Sequence, residues 1–131
     1  MNIISRKWHA FLDYLSGIVL IGAPWIFDFY FSHRGAAAAV LAGVLILILS
    51  IITDYEGGLI RMVPMSMHLN MDILLGILLA VSPWLFGFRY EVYLPHLLMG
   101  LLALFAGILT MRRSLSEKKY TNQTDHKSII K

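Results

Sequence analysis

The chain has 131 residues, of which 58% are hydrophobic, and its mean hydropathy is +0.70. Soluble domains contain about 45–50% apolar residues, so this composition indicates a membrane protein with several spans rather than a soluble domain. The absence of cysteine excludes disulfides, thiolate metal sites and thiol nucleophiles.

Four apolar segments of 18 to 20 residues are long enough to cross a bilayer as helices: 8–27, 35–52, 68–86 and 94–111. At 1.5 Å per residue they measure roughly 27–30 Å, the thickness of a hydrocarbon core. Helices are expected because each one satisfies its own backbone polar groups in lipid. We therefore predict an all-α membrane protein, with a four-transmembrane-helix bundle in residues 1–111. The polar tail, 112–131, has mixed charge and no apolar stripe, and we expect it to be mostly disordered.

The basic residues are distributed unequally between the two ends of this bundle. Nine lie before the first span, between spans two and three or in the tail, whereas the two hairpin loops contain only Arg34 and Arg89. The positive-inside rule then predicts a multi-pass protein of the cell membrane with both termini in the cytoplasm. Because the basic residues flank spans, we expect lipid, a second copy or another membrane protein as partners, and no nucleic acid.

The first and third spans are copies of each other. Residues 9–29 (HAFLDYLSGIVLIGAPWIFDF) align with residues 68–88 (HLNMDILLGILLAVSPWLFGF) at a constant offset of 59. Spans two and four align more weakly at an offset of 57, where Gly43 matches Gly100 and Thr53 matches Thr110. The chain is therefore a tandem duplication of a two-span unit, with repeat one at about 8–54 and repeat two at about 67–111. Each unit has an even number of spans, so the two repeats are parallel.

Both copies carry a short motif in their first span: Ala23-Pro24-Trp25 in repeat one and Ser82-Pro83-Trp84 in repeat two. Two helical hairpins that each contain this motif resemble the SPW-repeat family of small prokaryotic integral membrane proteins. The resemblance covers about residues 8–111, and repeat one departs from it by having Ala23 in place of serine. It implies the fold and the membrane location, and it carries no activity.

The proline–tryptophan pairs lie near the outer ends of spans one and three. Proline lacks an N–H and disfavours helix in the preceding residue, so Pro24 and Pro83 are expected to bend or loosen the last turn. Trp25 and Trp84 then fall at the membrane interface, where aromatic residues are enriched. An aromatic belt is the favoured interpretation. The alternative is an aromatic-walled pocket for a lipid head group, a quinone or another amphiphile.

The polar residues within the spans also occur twice. His9 and Asp13 are four residues apart and share a helix face, and His68 and Asp72 repeat the pattern. An acid inside a span costs up to about 2.5–3.5 kcal/mol, so its repetition at matched depth indicates a partner or a purpose. Each pair could satisfy itself, or both pairs could form one proton or divalent-metal site, since two histidines and two aspartates suit Zn2+. A haem held between His9 and His68 is the third interpretation.

Function is less well defined by the sequence than architecture. The chain contains no G-x-S-x-G, H-E-x-x-H or P-loop signature, so we do not expect an enzyme. The leading prediction is a structural, accessory, or lipid- or partner-binding membrane protein with no cofactor. The alternative is a small membrane protein that binds a proton, a metal ion or haem through the His–Asp pairs. His33 and His96 do not align with each other and are interpreted as ordinary loop histidines.

Overall fold

The computed structural model describes residues 3–129, except for the side chains of residues 118–121 and 126. The described chain forms five helices: α1 (Arg6–Ile26), α2 (His33–Ile52), α3 (Met65–Leu85), α4 (Leu94–Leu109) and α5 (Leu115–Ile129). The first three are long and apolar enough to cross a membrane, and α4 is a shorter apolar helix. The predicted all-α, four-helix membrane bundle is confirmed. Three basic residues in the orientation count, Lys118, Lys119 and Lys131, have side chains outside the described part.

The bundle consists of two helical hairpins, α1 with α2 and α3 with α4. Glycines allow the two helices of each hairpin to approach closely. A Cβ atom on Gly43 would lie 2.6 Å from the carbonyl oxygen of Gly17, and one on Gly100 would lie 2.5 Å from that of Gly76. The two pairs occupy equivalent positions in the repeats, so the same backbone contact is made twice.

Helices α1 and α3 end two residues beyond the motif prolines, in the same type of C-cap. Asp28 and Gly87 adopt left-handed backbone conformations, with φ of 53° and 72°. The following residues, Phe29 and Phe88, donate their N–H groups to the carbonyl oxygens of the motif prolines, at 2.8 and 2.9 Å. This is the Schellman arrangement, which reverses the chain direction. The helices therefore continue through each proline and end just after it. We call this end of the bundle, with loops 27–32 and 86–93, the hairpin end.

At the opposite end, which we call the terminal end, each repeat begins beside the end of the other. Ile4 forms a parallel bridge with Thr110, and Val63 forms one with Thr53. These bridges are equivalent, because Ile4 and Val63 are 59 positions apart and the two threonines are 57 apart. The start of α1 thus lies beside the end of α4, and the start of α3 beside the end of α2. This exchange between repeats positions the polar residues of α1 and α3.

The tail differs from its prediction, because α5 covers Leu115–Ile129 where the composition favours a mostly disordered segment. Its start is attached to the connection between α2 and α3. The N–H of Leu115 donates to the carbonyl oxygen of Asp54 at 3.2 Å, and the hydroxyl of Ser116 donates to the Asp54 carboxylate. The sequence predicts a helix where an apolar stripe is present. Polar contacts of this kind to a distant segment produce no apolar stripe, so the sequence does not indicate this helix.

Candidate functional site

The two His–Asp pairs meet in one buried group between α1 and α3, which we call the His–Asp cluster (His9, Asp13, His68 and Asp72). Both histidines are fully buried, and the two aspartates are 6% and 3% exposed. One potential ligand atom from each of the four residues lies within 4.8 Å of all the others. The structure therefore brings together every residue of the predicted polar site, two from each repeat.

The shortest contacts in the cluster run between repeats rather than within them. His9 Nε2 lies 2.9 Å from Asp72 Oδ2, and His68 Nε2 lies 3.0 Å from Asp13 Oδ2. Within the two i,i+4 pairs the nitrogen–oxygen distances are 3.3 and 3.2 Å. The two Nε2 atoms are 3.2 Å apart. Each histidine thus faces both carboxylates, so neither pair is a self-contained local device.

Two threonines determine which ring nitrogen of each histidine carries a proton. Thr110 Oγ1 donates to the carbonyl oxygen of Ala106 at 2.6 Å and lies 2.9 Å from His9 Nδ1. A hydroxyl has one hydrogen, so Thr110 must accept from His9, and Nδ1 is therefore the N–H nitrogen. Thr53 repeats this arrangement, with 2.5 Å to the carbonyl oxygen of Leu49 and 2.8 Å to His68 Nδ1. Both Nε2 atoms are left facing the carboxylates.

The surroundings of the two aspartates are not symmetric. Asp13 Oδ2 accepts from Ser50 Oγ at 3.1 Å and from the Tyr55 hydroxyl at 3.2 Å. At the position equivalent to Ser50, repeat two has Gly107, which offers Asp72 no hydroxyl. Burial and the nearby Asp13 carboxylate raise the pKa of Tyr55, which keeps its phenol protonated as a donor. Asp13 therefore accepts hydrogen bonds from two hydroxyl groups in addition to its contacts with the histidines.

Tyr55 also packs against both histidines of the cluster, on the side of the terminal end. Its side chain is fully buried, with ring centroids 6.4 Å from His9 and 5.5 Å from His68. The connection that carries it is fastened to α1, because the Tyr14 hydroxyl donates to the carbonyl oxygen of Gly57 at 2.8 Å. The Tyr55 ring and the connection that carries it therefore pack beside both histidines at the terminal end.

A buried arginine holds the same connection in place. Arg6 is 5% exposed and donates from Nε and Nη2 to the two Glu56 oxygens, at 3.0 and 2.9 Å. Its Nη1 donates to the carbonyl oxygen of Arg113 at 2.6 Å. Partial burial raises the pKa of Glu56, but the hydrogen bonds and charge of Arg6 outweigh it and hold that pKa below its usual value. Arg6 thus ties the α2–α3 connection to the segment after α4.

The geometry of the cluster suits a four-coordinate metal ion and does not suit haem. Tetrahedral ligands at about 2.0 Å from zinc are separated by roughly 3.3 Å. Five contacts around the cluster, 2.9 to 3.3 Å long, are within a few tenths of an ångström of that value, with Asp13 using Oδ2 towards His68 and Oδ1 towards His9. A porphyrin would instead need a flat space between the two imidazoles, where both carboxylates lie.

The repeat motif lies at the hairpin end, away from the cluster. Trp25 and Trp84 are 67% and 46% exposed, as an interfacial aromatic residue would be. Ser82 Oγ donates to the carbonyl oxygen of Leu79, one turn earlier in the same helix, at 2.7 Å. Because this hydroxyl is satisfied locally, the alanine at position 23 can replace it without leaving another residue unpaired.

Several residues around the cluster were not assigned to it from the sequence. Thr53 and Thr110 were matched by the repeat alignment, but only packing between repeats shows that they orient the histidines.

The interpretation of His96 as an ordinary loop histidine is wrong. It is fully buried in α4, its Nε2 donates to the carbonyl oxygen of Gly35 at 2.8 Å, and its ring lies beside Phe88. Its position inside an apolar helix is the signal that was available. His33 is exposed.

The outer surface of the bundle is apolar. Ile18 and Leu41 are each 62% exposed, and Leu74 and Phe105 are 50% and 54% exposed. A helical bundle with an apolar outer surface and an enclosed charged cluster is an integral membrane protein. The chain belongs to the SPW repeat domain family, whose model matches residues 7–110. The resemblance shown by the paired motifs is thereby confirmed. No curated protein and no solved structure matches the chain significantly.

Proposed function

We propose that this membrane protein binds one divalent transition-metal ion, of the Zn2+ class, in the His–Asp cluster. The observation that carries the proposal is the orientation of the two histidines. Their Nδ1–H groups donate to Thr110 and Thr53, which directs both Nε2 lone pairs at the two carboxylates. Metal-ligating histidines characteristically donate their second ring N–H to such a partner.

The charge of the cluster supports the same assignment. Two ionised aspartates carry a charge of about −2, which one divalent cation or two protons would neutralise. Neutrality matters here because the cluster is buried within a helical bundle whose outer surface is suited to lipid. A divalent ion would satisfy both carboxylates and both imidazoles together. Two protons, one on each Nε2, would instead place two positively charged rings with their Nε2 atoms 3.2 Å apart.

The number and origin of the ligands favour a structural role over a catalytic one. Structural zinc sites have four protein ligands, whereas catalytic sites keep one position open. All four ligands here come from the protein, two from each repeat. The bound ion would therefore hold α1 and α3 together as a clamp between the repeats. This is a non-enzymatic role, and it combines the structural and the metal-binding functions that the sequence leaves as alternatives.

The experiment that tests the proposal is equilibrium dialysis of full-length protein in mild detergent, after removal of metal with a chelator. One zinc ion per chain is expected. The double variant His9→Gln and His68→Gln is expected to lose it, whereas His33→Gln, at an exposed histidine, should retain it. Zinc binding that persists in the double variant would contradict the proposal, and so would the absence of binding in the parent protein.

A separate proposal concerns which membrane the protein occupies and how the bundle is oriented in it. We infer that the protein resides in the cell membrane with the terminal end in the cytoplasm, on the basis of the nine-to-two distribution of basic residues. A reporter active only in the cytoplasm should function after Lys131, and one active only outside should function in the loop before His33. The reverse pattern would overturn the orientation without affecting the proposed metal site.

A further inference from the structure

A cleft of about 650 Å3 opens at the hairpin end, between the start of α2 and the end of α3. Its walls include Ala37, Ala38 and Leu41 from α2 and Trp84 from α3, and Arg34 lies among its lining residues. The His–Asp cluster lies at the other end of these helices, so the cleft is a separate feature. It combines an apolar wall, one exposed tryptophan and one cation.

We infer that this cleft binds the head group of an anionic phospholipid. The Arg34 side chain is exposed, and its Nη1 donates to the carbonyl oxygen of Phe86 at 3.0 Å. This bond spans from α2 to the end of α3 and positions the guanidinium at the cleft. A guanidinium has five N–H donors, so donors are left for a phosphate, which arginine binds in a bidentate manner.

The apolar surface next to the cleft indicates a lipid rather than a soluble anion. Below Arg34, the wall formed by Leu41 continues along α2 into Leu45 and Ile48, which are 45% and 48% exposed. An acyl chain attached to a phosphate in the cleft could lie along this surface. Trp84 marks the depth at which head groups and acyl chains meet, because tryptophan is enriched there.

The other repeat shows that the positive charge is not imposed by the fold. At the position of Gly87 in the cleft, repeat one has Asp28, which has the same left-handed backbone conformation. Arg34 lies in the first turn of α2, whereas α4 begins only at Leu94 and contains no arginine. The equivalent face between α1 and α4 therefore has an aspartate where the cleft has a glycine, and no arginine on its second helix. An anionic head group would be repelled there, and Trp25 on that face provides an internal reference.

The experiment uses quenching of single tryptophans by brominated lipids. The chain has three tryptophans, so Trp8→Phe with Trp25→Phe leaves only Trp84, and Trp8→Phe with Trp84→Phe leaves only Trp25. Each full-length variant is reconstituted in phosphatidylcholine vesicles that contain either brominated phosphatidylglycerol or brominated phosphatidylcholine. We expect Trp84 to be quenched by the anionic lipid with about fivefold higher apparent affinity, the contribution of one arginine near a lipid phosphate. Trp25 should show no such preference.

Charge variants made in the Trp84-only background keep the test decisive even if the Trp25-only variant does not fold. Arg34→Gln should abolish the preference for the anionic lipid, whereas Arg89→Gln, at an exposed arginine of the same end, should preserve it. Retention of the preference in Arg34→Gln would overturn the inference, and so would an equal preference at both tryptophans. Displacement of the brominated lipid by inorganic phosphate would also overturn it, because the site would then recognise a free anion.

Discussion

His9 Nε2 lies 3.2 Å from His68 Nε2, although the two residues are 59 positions apart and belong to different repeats. The duplication placed one histidine and one aspartate on each of two equivalent helices, and the packing of the repeats joined them. The cluster consequently exists only when both repeats are folded against each other. Its integrity and the stability of the bundle are therefore coupled.

The threonines are expected to control metal affinity without contacting the metal. Valine at position 53 or 110 has nearly the same shape as threonine but cannot accept the Nδ1–H of the histidine. Loss of such a partner typically lowers metal affinity about 10- to 100-fold. Competition with a chromophoric zinc chelator measures the effect for Thr53→Val and Thr110→Val. Serine at either position should retain most of the affinity, and unchanged affinity in both valine variants would contradict the assigned orientation of the histidines.

The aspartates are expected to act as a unit. Asp13→Asn and Asp72→Asn should each abolish tight zinc binding. In metal-free protein their effects on the free energy of unfolding should be non-additive by about 0.5–3 kcal/mol, because the two residues share both histidines. Thermal unfolding of the singles and the double variant measures this coupling. Asp28→Asn is the matched control, since Asp28 is exposed and asparagine tolerates its left-handed backbone. Small additive losses would show instead that each pair acts locally.

The close approach of α3 and α4 predicts a large effect from one methyl group. A Cβ atom on Gly100 would lie 2.4 Å from the backbone nitrogen of Ala80, which cannot move without separating the helices. Gly100→Ala should lower the free energy of unfolding by about 1–3 kcal/mol or more. Gly22→Ala is the control, because its Cβ would meet only the end of the Ile26 side chain, at 3.0 Å. Thermal unfolding in detergent, followed by circular dichroism, should separate the two variants clearly; equal melting temperatures would refute the close packing.

Glu56 is expected to make stability depend on pH under acidic conditions. Its pKa in the folded protein lies below the usual value of 4.5, owing to Arg6, so it binds protons more readily when unfolded. Its contribution is therefore present above about pH 4.5 and is lost as the pH falls through the lower folded value. Glu56→Gln should remove this part of the acid destabilisation. A pH profile unaffected by Glu56→Gln would contradict the role of the ion pair.

The features that could be predicted from the sequence are those encoded locally or by repetition. The spans follow from hydropathy, and their ends agree with the helices within three residues. The matched depth of Asp13 and Asp72 follows from the constant offset. The distance between α1 and α3 is not encoded in this way, so the convergence of the four residues remained one alternative among three. The roles of Thr53 and Thr110 depend on packing between repeats and could not be derived from either repeat alone.

The hydrogen bond of His96 could not be predicted for a different reason, although its position inside an apolar span indicates burial. Its donor bond to the carbonyl oxygen of Gly35 requires α2 and α4 to approach at the hairpin end, and no local pattern encodes that approach. The start of α5 likewise depends on Asp54, more than sixty positions earlier in the chain. Both cases involve a few polar contacts between segments distant in sequence. Hydropathy and periodicity do not report such contacts.

The measurement that tests the central claim most directly is X-ray absorption at the zinc edge, on full-length protein loaded with one equivalent of zinc in detergent. The account predicts four nitrogen or oxygen ligands at about 2.0–2.1 Å, with the outer-shell scattering of two imidazoles. His9→Gln and His68→Gln should each reduce the imidazole count by one, and His33→Gln should not change it. A six-coordinate site without imidazole scattering, or a spectrum that neither cluster variant alters, would contradict the metal-binding cluster.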